Sequence, residues 1–379
     1  MSIMLLLLGL LLFVFLVVAH EFGHYIAARR GGVEVEEFGI GFPPRAWSKR
    51  LKNKTLLTIN WLPLGGFVKL KGEHDADTTK GSFGAASLER KVKIMLAGVG
   101  MNLAVAFFLL TVLAVVGMPR LIENQFTVAS DTKITKNDVL VGYIEPNSPA
   151  QQVGLRTKDQ LVSVDRYLDN AAAETTRVGS ADQLVGLTKS LAGQKVQLTI
   201  RRADQTLVKT LSLRSQSEVE ASKKTAEPKG YLGVSPTELT LQRSTWSAPI
   251  VASGLIKQFT VATFKGLWQA ISGLAQGNGS KASAQVSGPV GVFVLLKDGS
   301  LLGYQFVLVI IAIISLTLAI MNVLPIPALD GGRLFVTLLY RIRNKPLTQK
   351  IEDRIHGTGF AVLMLLFVLI TIVDVRRFW

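Results

Sequence analysis

The 379-residue chain has 49% hydrophobic side chains, no cysteine, and 42 Lys/Arg against 27 Asp/Glu, a formal net charge of +15. Its apolar residues are gathered into a few long blocks, which excludes an ordinary water-soluble globule and marks a membrane protein; zero cysteines exclude disulfides and thiolate ligands. The positive charge does not require nucleic acid, because it follows a topological pattern: 13 Lys/Arg lie in residues 29–93 but only 21 in the far longer stretch 120–300.

The apolar blocks predict four spans, at about Met4–Ala28, Ile94–Met118, Leu301–Leu324 and Phe360–Val375. The first block lacks a basic n-region and a small-residue cleavage site, so it is expected to be retained as a span and not removed as a signal peptide. The positive-inside tendency puts the loop after it in the cytoplasm, the long middle segment outside, and the basic stretch Arg333–Arg354 inside again. Within the first span lies His20-Glu21-Phe22-Gly23-His24. Residues four apart share one face of a helix, about 6 Å apart along it, so two imidazoles can point at one ion. Glu21 sits beside that face, able to touch a water at the ion without ligating it. This is the H-E-x-x-H spacing of zinc metallopeptidases; the bland alternative is a polar cluster holding helices together.

After the first span, residues 33–70 alternate as strands do. Glu37-Phe-Gly-Ile-Gly-Phe-Pro43 is apolar and glycine-rich, and Gly65-Gly66 interrupts the pattern before Phe67–Leu70. Beyond the second span, residues 125–215 predict one small domain. Its strands fall at Val139–Glu145, Leu161–Asp165, Lys195–Arg201 and Thr206–Leu213, and its short helices at Pro149–Val153 and Leu184–Leu191. Ser148 with Pro149 starts the first helix and Gly154 closes it. The run Pro146-Asn-Ser-Pro-Ala150, Gly154-Leu155 and Asp159–Asp165 resembles a PDZ domain of the protease-associated type, with Asp165-Arg166 where Asp-Gly is usual. Ser215–Lys229 reads as a polar linker, Ile250–Leu274 as an amphipathic helix at the outer membrane surface or a packing helix, and Gln276–Gln285 as a flexible loop.

The third span ends in Asn322-Val-Leu-Pro325-Ile-Pro327-Ala-Leu329-Asp330-Gly331-Gly332. Two prolines break the helix, and irregular backbone at membrane depth needs protein or a cavity around it. A tetrahedral zinc held by two histidines needs a third protein ligand, commonly a carboxylate. Asp330 is the acid suited to that place; the alternative is that it caps the segment that follows it. Asp374 lies in the last span, at its far outer end.

Together the two motifs resemble the site-2 protease family of intramembrane zinc metalloproteases in its bacterial form. Further matches are Leu62-Pro-Leu-Gly-Gly-Phe67, Ala97-Gly98 through Asn102, and Ser287-Gly-Pro-Val-Gly291, so the likeness runs over nearly the whole chain. The resemblance implies that His20, His24 and Asp330 ligate Zn²⁺, that Glu21 is the catalytic acid/base, and that Asn322 helps stabilise the reacting carbonyl. It also implies a β-loop dipping into the membrane, with Gly39, Ile40, Gly41 and Phe42 binding substrate, where a strand edge can take an unwound substrate chain by strand addition. Departures are Thr317, where some members have a second asparagine, and Gly41-Phe42-Pro43, where some have Gly-Phe-Gly.

The expected fold is thus an α-helical polytopic membrane protein with about four transmembrane helices, a membrane-associated β-loop and one inserted extracytoplasmic PDZ domain. It divides into residues 1–118, 125–215, 216–300 and 301–379. The expected activity is cleavage of transmembrane segments of single-pass proteins in a bacterial inner membrane. The zinc lies toward the cytoplasmic side, the partners are the lipid bilayer and substrates already trimmed by another protease, and nucleic acid is not among them. A metal transporter would need more polar groups along its spans, and an inactive scaffold would be expected to have lost Glu21 or a ligand.

Overall fold

The computed structural model describes residues 2–168, 171–202, 205–223, 228–279, 283 and 285–378. The chain begins with α1 (Ser2–Arg30), followed by the strands β1 (Val35–Arg50) and β2 (Leu56–Leu70) and by α2 (Leu88–Val116). Past the two-residue β3 (Met118–Pro119) come β4 (Lys133–Ile144), α3 (Pro149–Gln152), β5 (Gln160–Leu168), β6 (Ala171–Arg177) and α4 (Ala181–Ser190). Then follow β7 (Lys195–Arg202), β8 (Gln205–Ser212), α5 (Gln216–Ser222) and β9 (Val234–Arg243). The remainder is helical: α6 (Ala248–Ala275), α7 (Pro289–Leu302), α8 (Tyr304–Val323), α9 (Asp330–Ile342) and α10 (Gln349–Phe378). Two compact units result. One comprises residues 1–118, 124–131 and 244–379, the other residues 119–123 and 132–243.

In the first unit, α1, α2, α8 and α10 are long and apolar enough to cross a membrane, which makes the chain a multi-pass membrane protein. α1 stops where Gly31-Gly32 follows two arginines, basic charge at the negative end of the helix dipole. α2 starts at Ser87, whose hydroxyl accepts the Arg90 N–H at 3.5 Å. Ala106, Leu110, Leu113 and Ala114 of α2 interlock with Ala248, Val251, Ala252 and Leu255 of α6 and with Val309, Ala312 and Leu316 of α8. The alanines matter here, since in lipid, helices are held by close packing more than by hydrophobic drive. The first half of α6 is therefore a packing helix, while its later apolar residues, such as Trp268 at 70% exposure, face outward.

α7 was not expected as a separate helix. Gly303 divides it from α8, so the span read as Leu301–Leu324 starts at Tyr304. The loop expected at Gln276–Gln285 lies partly outside the described residues. The N-terminus of α7 has no cap from its own residue Gly288. Asp374 of α10 supplies one: its carboxylate accepts the Gly288 and Gly291 amides, each at 2.8 Å, while only 1% of the residue is exposed. This accounts for the acid in the last span.

The second unit is a mixed α/β body whose strands lie in the order β9-β4-β5-β7-β8, with β6 on β5. Val139, Val141, Leu161, Val164, Val196, Leu198 and Ile200 form its core. Ser148 accepts the Gln151 amide at 3.2 Å to start α3. The body runs further than residue 215. The segment read as a linker holds α5, opened by a capping box between Ser215 and Glu218, and is followed by β9; residues 224–227 of it lie outside the described residues. β9 pairs with β4 from Lys133↔Arg243 to Ile144↔Val234. Pro236 hid this strand, because proline counts against a strand except at edges and irregularities; here it falls opposite Val141, next to a register shift.

Replacing Asp374 by Ala would leave two helix-start amides without an acceptor, at a cost of about 2–3 kcal/mol. A lowered thermal midpoint in detergent is expected for Asp374→Ala, with Asp374→Asn in between; an unchanged midpoint for both would contradict the capping role.

Candidate metal centre

His20 and His24 project from one face of α1, one turn apart. Asp330 reaches them from the first position of α9, after the helix break at Leu324–Leu329. Its Oδ2 lies 3.1 Å from His20 Nε2 and 3.2 Å from His24 Nε2, and the two Nε2 atoms are 3.1 Å apart. Of the two readings of Asp330, the cap is not what is seen: the start of α9 has no side-chain cap hydrogen bond. Among the described residues these three form the one group of three or more His, Asp or Glu able to hold a metal ion.

The donor set fits zinc. A tetrahedral zinc with bonds of about 2.0–2.1 Å keeps its ligands about 3.3 Å apart, close to the three separations found. Asp330 Oδ2 is buried with no hydrogen-bond partner, so lone pairs converge on one point with nothing of opposite sign to meet them. Space for an ion is preserved by Gly98 of α2: a Cβ there would stand 2.5 Å from His24 Nε2 and 2.6 Å from His20 Nε2. Gly331 and Gly332 allow the turn into α9, since a Cβ at either would collide with the carbonyls of Val323 or Ile326.

The imidazoles are held from α2. His24 Nδ1 lies 2.8 Å from the Ile94 carbonyl, and His20 Nδ1 lies 3.2 Å from the Asn102 side-chain amide. Glu21 forms no ion pair with either histidine among the described residues. It lines a cleft of about 130 Å³ with His24, Asp330, Val68, Glu73 and Arg333. A wider cavity of about 440 Å³, lined also by His74, Glu352 and His356, shares Glu73, Asp330 and Arg333 with that cleft. Water thus has a polar approach to Glu21 and Asp330 from within this unit.

Arg333, one turn beyond Asp330, fixes α9. Its guanidinium donates to the Glu73 carbonyl at 2.8 Å and to Glu352 at 3.5 Å, and lies 5.4 Å from the centre of the Phe83 ring. Lys91, fully buried, pairs with Asp75 on the same segment. None of these was singled out from sequence; the charged run Glu73-His74-Asp75 before α2 was the available signal. Asn322 lies in the last turn of α8. It makes no side-chain hydrogen bond among the described residues and is not part of the lining of the cleft that holds Glu21.

Of the expected substrate residues Gly39, Ile40, Gly41 and Phe42, the first two are not at an open edge. Gly39 pairs with both Phe67 and Thr58, Ile40 with both Gly66 and Ile59, and Phe42 with Leu62. The Gly41 carbonyl accepts from Asn60 at 3.0 Å. A strand paired on both sides has no row of amides left for a third. β1 and β2 are long and bent, so that each pairs with the other twice, which leaves Gly39 and Ile40 no free edge for strand addition. The edge that borders the cleft is the end of β2, where Val68 and Leu70 line it and the Leu70 amide donates to Glu73 at 2.9 Å.

An H-E-x-x-H pair and a carboxylate converging among membrane helices, with Glu21 lining the adjoining cleft, fit a membrane metallopeptidase. Comparison with known proteins agrees. The model of peptidase family M50 matches residues 8–366, and the chain belongs to that family, the site-2 proteases. It is 31% identical over 379 residues to a candidate zinc metalloprotease of Clostridium acetobutylicum, covering 99% of this chain and 98% of the relative. It is 25% identical over 446 residues to the zinc metalloprotease RasP of Geobacillus kaustophilus, covering 96% of each. The metal is zinc, and the protein is a membrane zinc metalloendopeptidase.

Asp330→Ala is expected to leave two protein ligands and to lose zinc during dialysis against a weak chelator, whereas a retained equivalent would place the third ligand elsewhere. Gly98→Ala should empty the site as well, by driving a methyl group between the imidazoles; full zinc content in a folded Gly98→Ala protein would contradict the packing described.

Proposed function

We propose that this enzyme hydrolyses peptide bonds inside transmembrane segments of single-pass membrane proteins, as a step of regulated intramembrane proteolysis. Candidate substrates are trimmed anti-sigma factors and signal-peptide remnants. The observation that carries the reading is that two ligands and the acid stand within α1, a helix apolar enough to cross the bilayer. Ionisable groups so placed in a span are rare and functional.

Zinc, when bound, supplies a Lewis acid and lowers the pKa of water toward 7. Glu21 takes the proton of the attacking water and returns it to the leaving amine. Asn322, whose amide is uncommitted, donates to the developing oxyanion. The substrate helix must unwind, since its peptide groups are shielded by their own hydrogen bonds. We assign the receiving edge to the end of β2 at Val68, beside Glu21, in place of Gly39–Phe42. The active site lies toward the cytoplasm, in the orientation the distribution of Lys and Arg supports, and the second unit is a PDZ domain on the outer side. It acts there as a gate that excludes substrates with bulky outer portions.

Glu21→Gln is expected to keep its zinc and lose about 10²–10⁴-fold or more in cleavage rate; loss of zinc at normal yield would reassign Glu21. In that inactive protein a photo-crosslinking residue at Val68 should capture a model substrate and one at Ile40 should capture far less, the reverse being evidence against the β2 edge. Asp131 binds Thr245 through its amide and hydroxyl, at 2.7 and 2.5 Å, so the ends flanking residues 132–243 already meet and a short bridge can replace that segment. The bridged protein should cut untrimmed substrates that the intact enzyme rejects. Continued rejection by a well-expressed deletion would defeat the gate, and failure to cut either form would assign the segment to positioning.

A further inference from the structure

Between α8 and α9 the chain makes one tight turn, immediately before the carboxylate ligand. The Ile326 carbonyl accepts the Leu329 amide at 3.1 Å. Pro327 is second and Ala328 third in that turn, and Ala328 has a φ of +77°. This is the pattern of a type II turn, whose third position requires a positive φ and is usually glycine. An L-residue held there is strained and stays only where its surroundings fix it. The Ala328 amide takes no part in the turn's own hydrogen bond, and a main-chain N–H at membrane depth needs an acceptor.

Both needs are met from α10. His356 Nδ1 accepts the Ala328 amide at 3.1 Å. A main-chain amide can only donate, so Nδ1 is bare and the ring hydrogen sits on Nε2. Three residues on, along the same face of the helix, Gly359 leaves room for the turn. A Cβ there would stand 2.5 Å from Pro327 Cβ and 2.7 Å from the Pro327 carbonyl oxygen. His356 and Gly359 thus form a seat for Pro327-Ala328. No loop separates that seat from the metal point. Leu329 ends the turn, Asp330 is the next residue and the first of α9, and the Leu329 carbonyl already accepts the Arg333 amide at 2.9 Å. A rotation of the turn is therefore passed directly to Asp330. Arg333 ties α9 down on the far side of the ligand, and the turn is its anchor on the near side.

We infer that His356 is a positioning residue for zinc that acts through the main chain. By accepting the Ala328 amide it holds the strained turn, and so sets where the Asp330 carboxylate stands against the two imidazoles. The inference rests on the zinc site and not on the nature of the substrate. It makes one demand at position 356, an acceptor atom where Nδ1 now lies. Asparagine meets it, because its Oδ1 is as many bonds from the main chain as Nδ1. Leucine fills the space but cannot accept.

The test is the zinc dissociation constant of the full-length protein in detergent, measured by competition with a chromophoric chelator, with thermal unfolding as the folding control. His356→Leu is expected to bind zinc about 10-fold more weakly, and His356→Asn to recover most of that loss. Unchanged affinity in His356→Leu, or equal losses in both variants, would overturn the inference while leaving the three-ligand site standing. Asp374→Ala loosens the other end of α10 without touching the turn, and is expected to keep its zinc affinity; a loss equal to that of His356→Leu would make the effect a general one of the helix and overturn the assignment to His356. Should His356→Leu not fold, ¹⁵N NMR of labelled histidine in the unsubstituted, zinc-loaded protein at neutral pH decides. His356 is expected to carry its hydrogen on Nε2 alone, and a hydrogen on Nδ1 would overturn the inference.

Discussion

Three lone pairs brought to one point inside an apolar bundle are the constraint on which the rest of this structure depends. Polar groups away from water are costly unless each finds a partner. Two neutral imidazoles and a carboxylate cannot partner one another fully, and only a cation at their common focus meets all three. The neighbouring elements hold that focus open. α2 passes at Gly98, where even a methyl group would intrude. The broken end of α8 lets α9 begin with its carboxylate pointing inward, and Arg333 ties α9 to the segment before α2.

The same economy governs polar groups elsewhere in the membrane unit. Asp374 faces the unpaired start of α7, and Lys91 meets Asp75 against the Phe83 ring. These two buried groups therefore terminate an element or complete a pair. Glu21 is placed differently: it lines a cleft, together with Val68 of β2. A carboxylate beside a metal site and facing an approach for water is suited to moving protons, not to holding the fold together.

What the sequence revealed depended on how far apart the cooperating residues lie. His20, Glu21 and His24 share one turn of helix, so their spacing alone carries their geometry. The four spans were legible because each is a continuous apolar run. Asp330 was legible as an acid between prolines and glycines, yet its choice between ligand and cap needed the fold, because α1 and α9 are separated by some 300 residues of chain. The bends that let β1 and β2 pair twice leave no periodic signal, so Gly39 and Ile40 looked like an edge and proved internal. β9 was obscured by Pro236 and by a polar segment before it, although its partner β4 had been recognised in part. Arg333 and Glu352 stood out in neither motif nor pattern, because their meaning comes from partners brought together by folding.

X-ray absorption at the zinc edge of the purified, zinc-loaded protein tests the central claim most directly. The account predicts nitrogen and oxygen neighbours only, at about 2.0–2.1 Å, with outer-shell scattering from two imidazoles. Scattering from three or more imidazoles would bring His74 or His356 into the site, and a single imidazole would remove His20 or His24 from it. Either result would contradict a centre built from His20, His24 and Asp330.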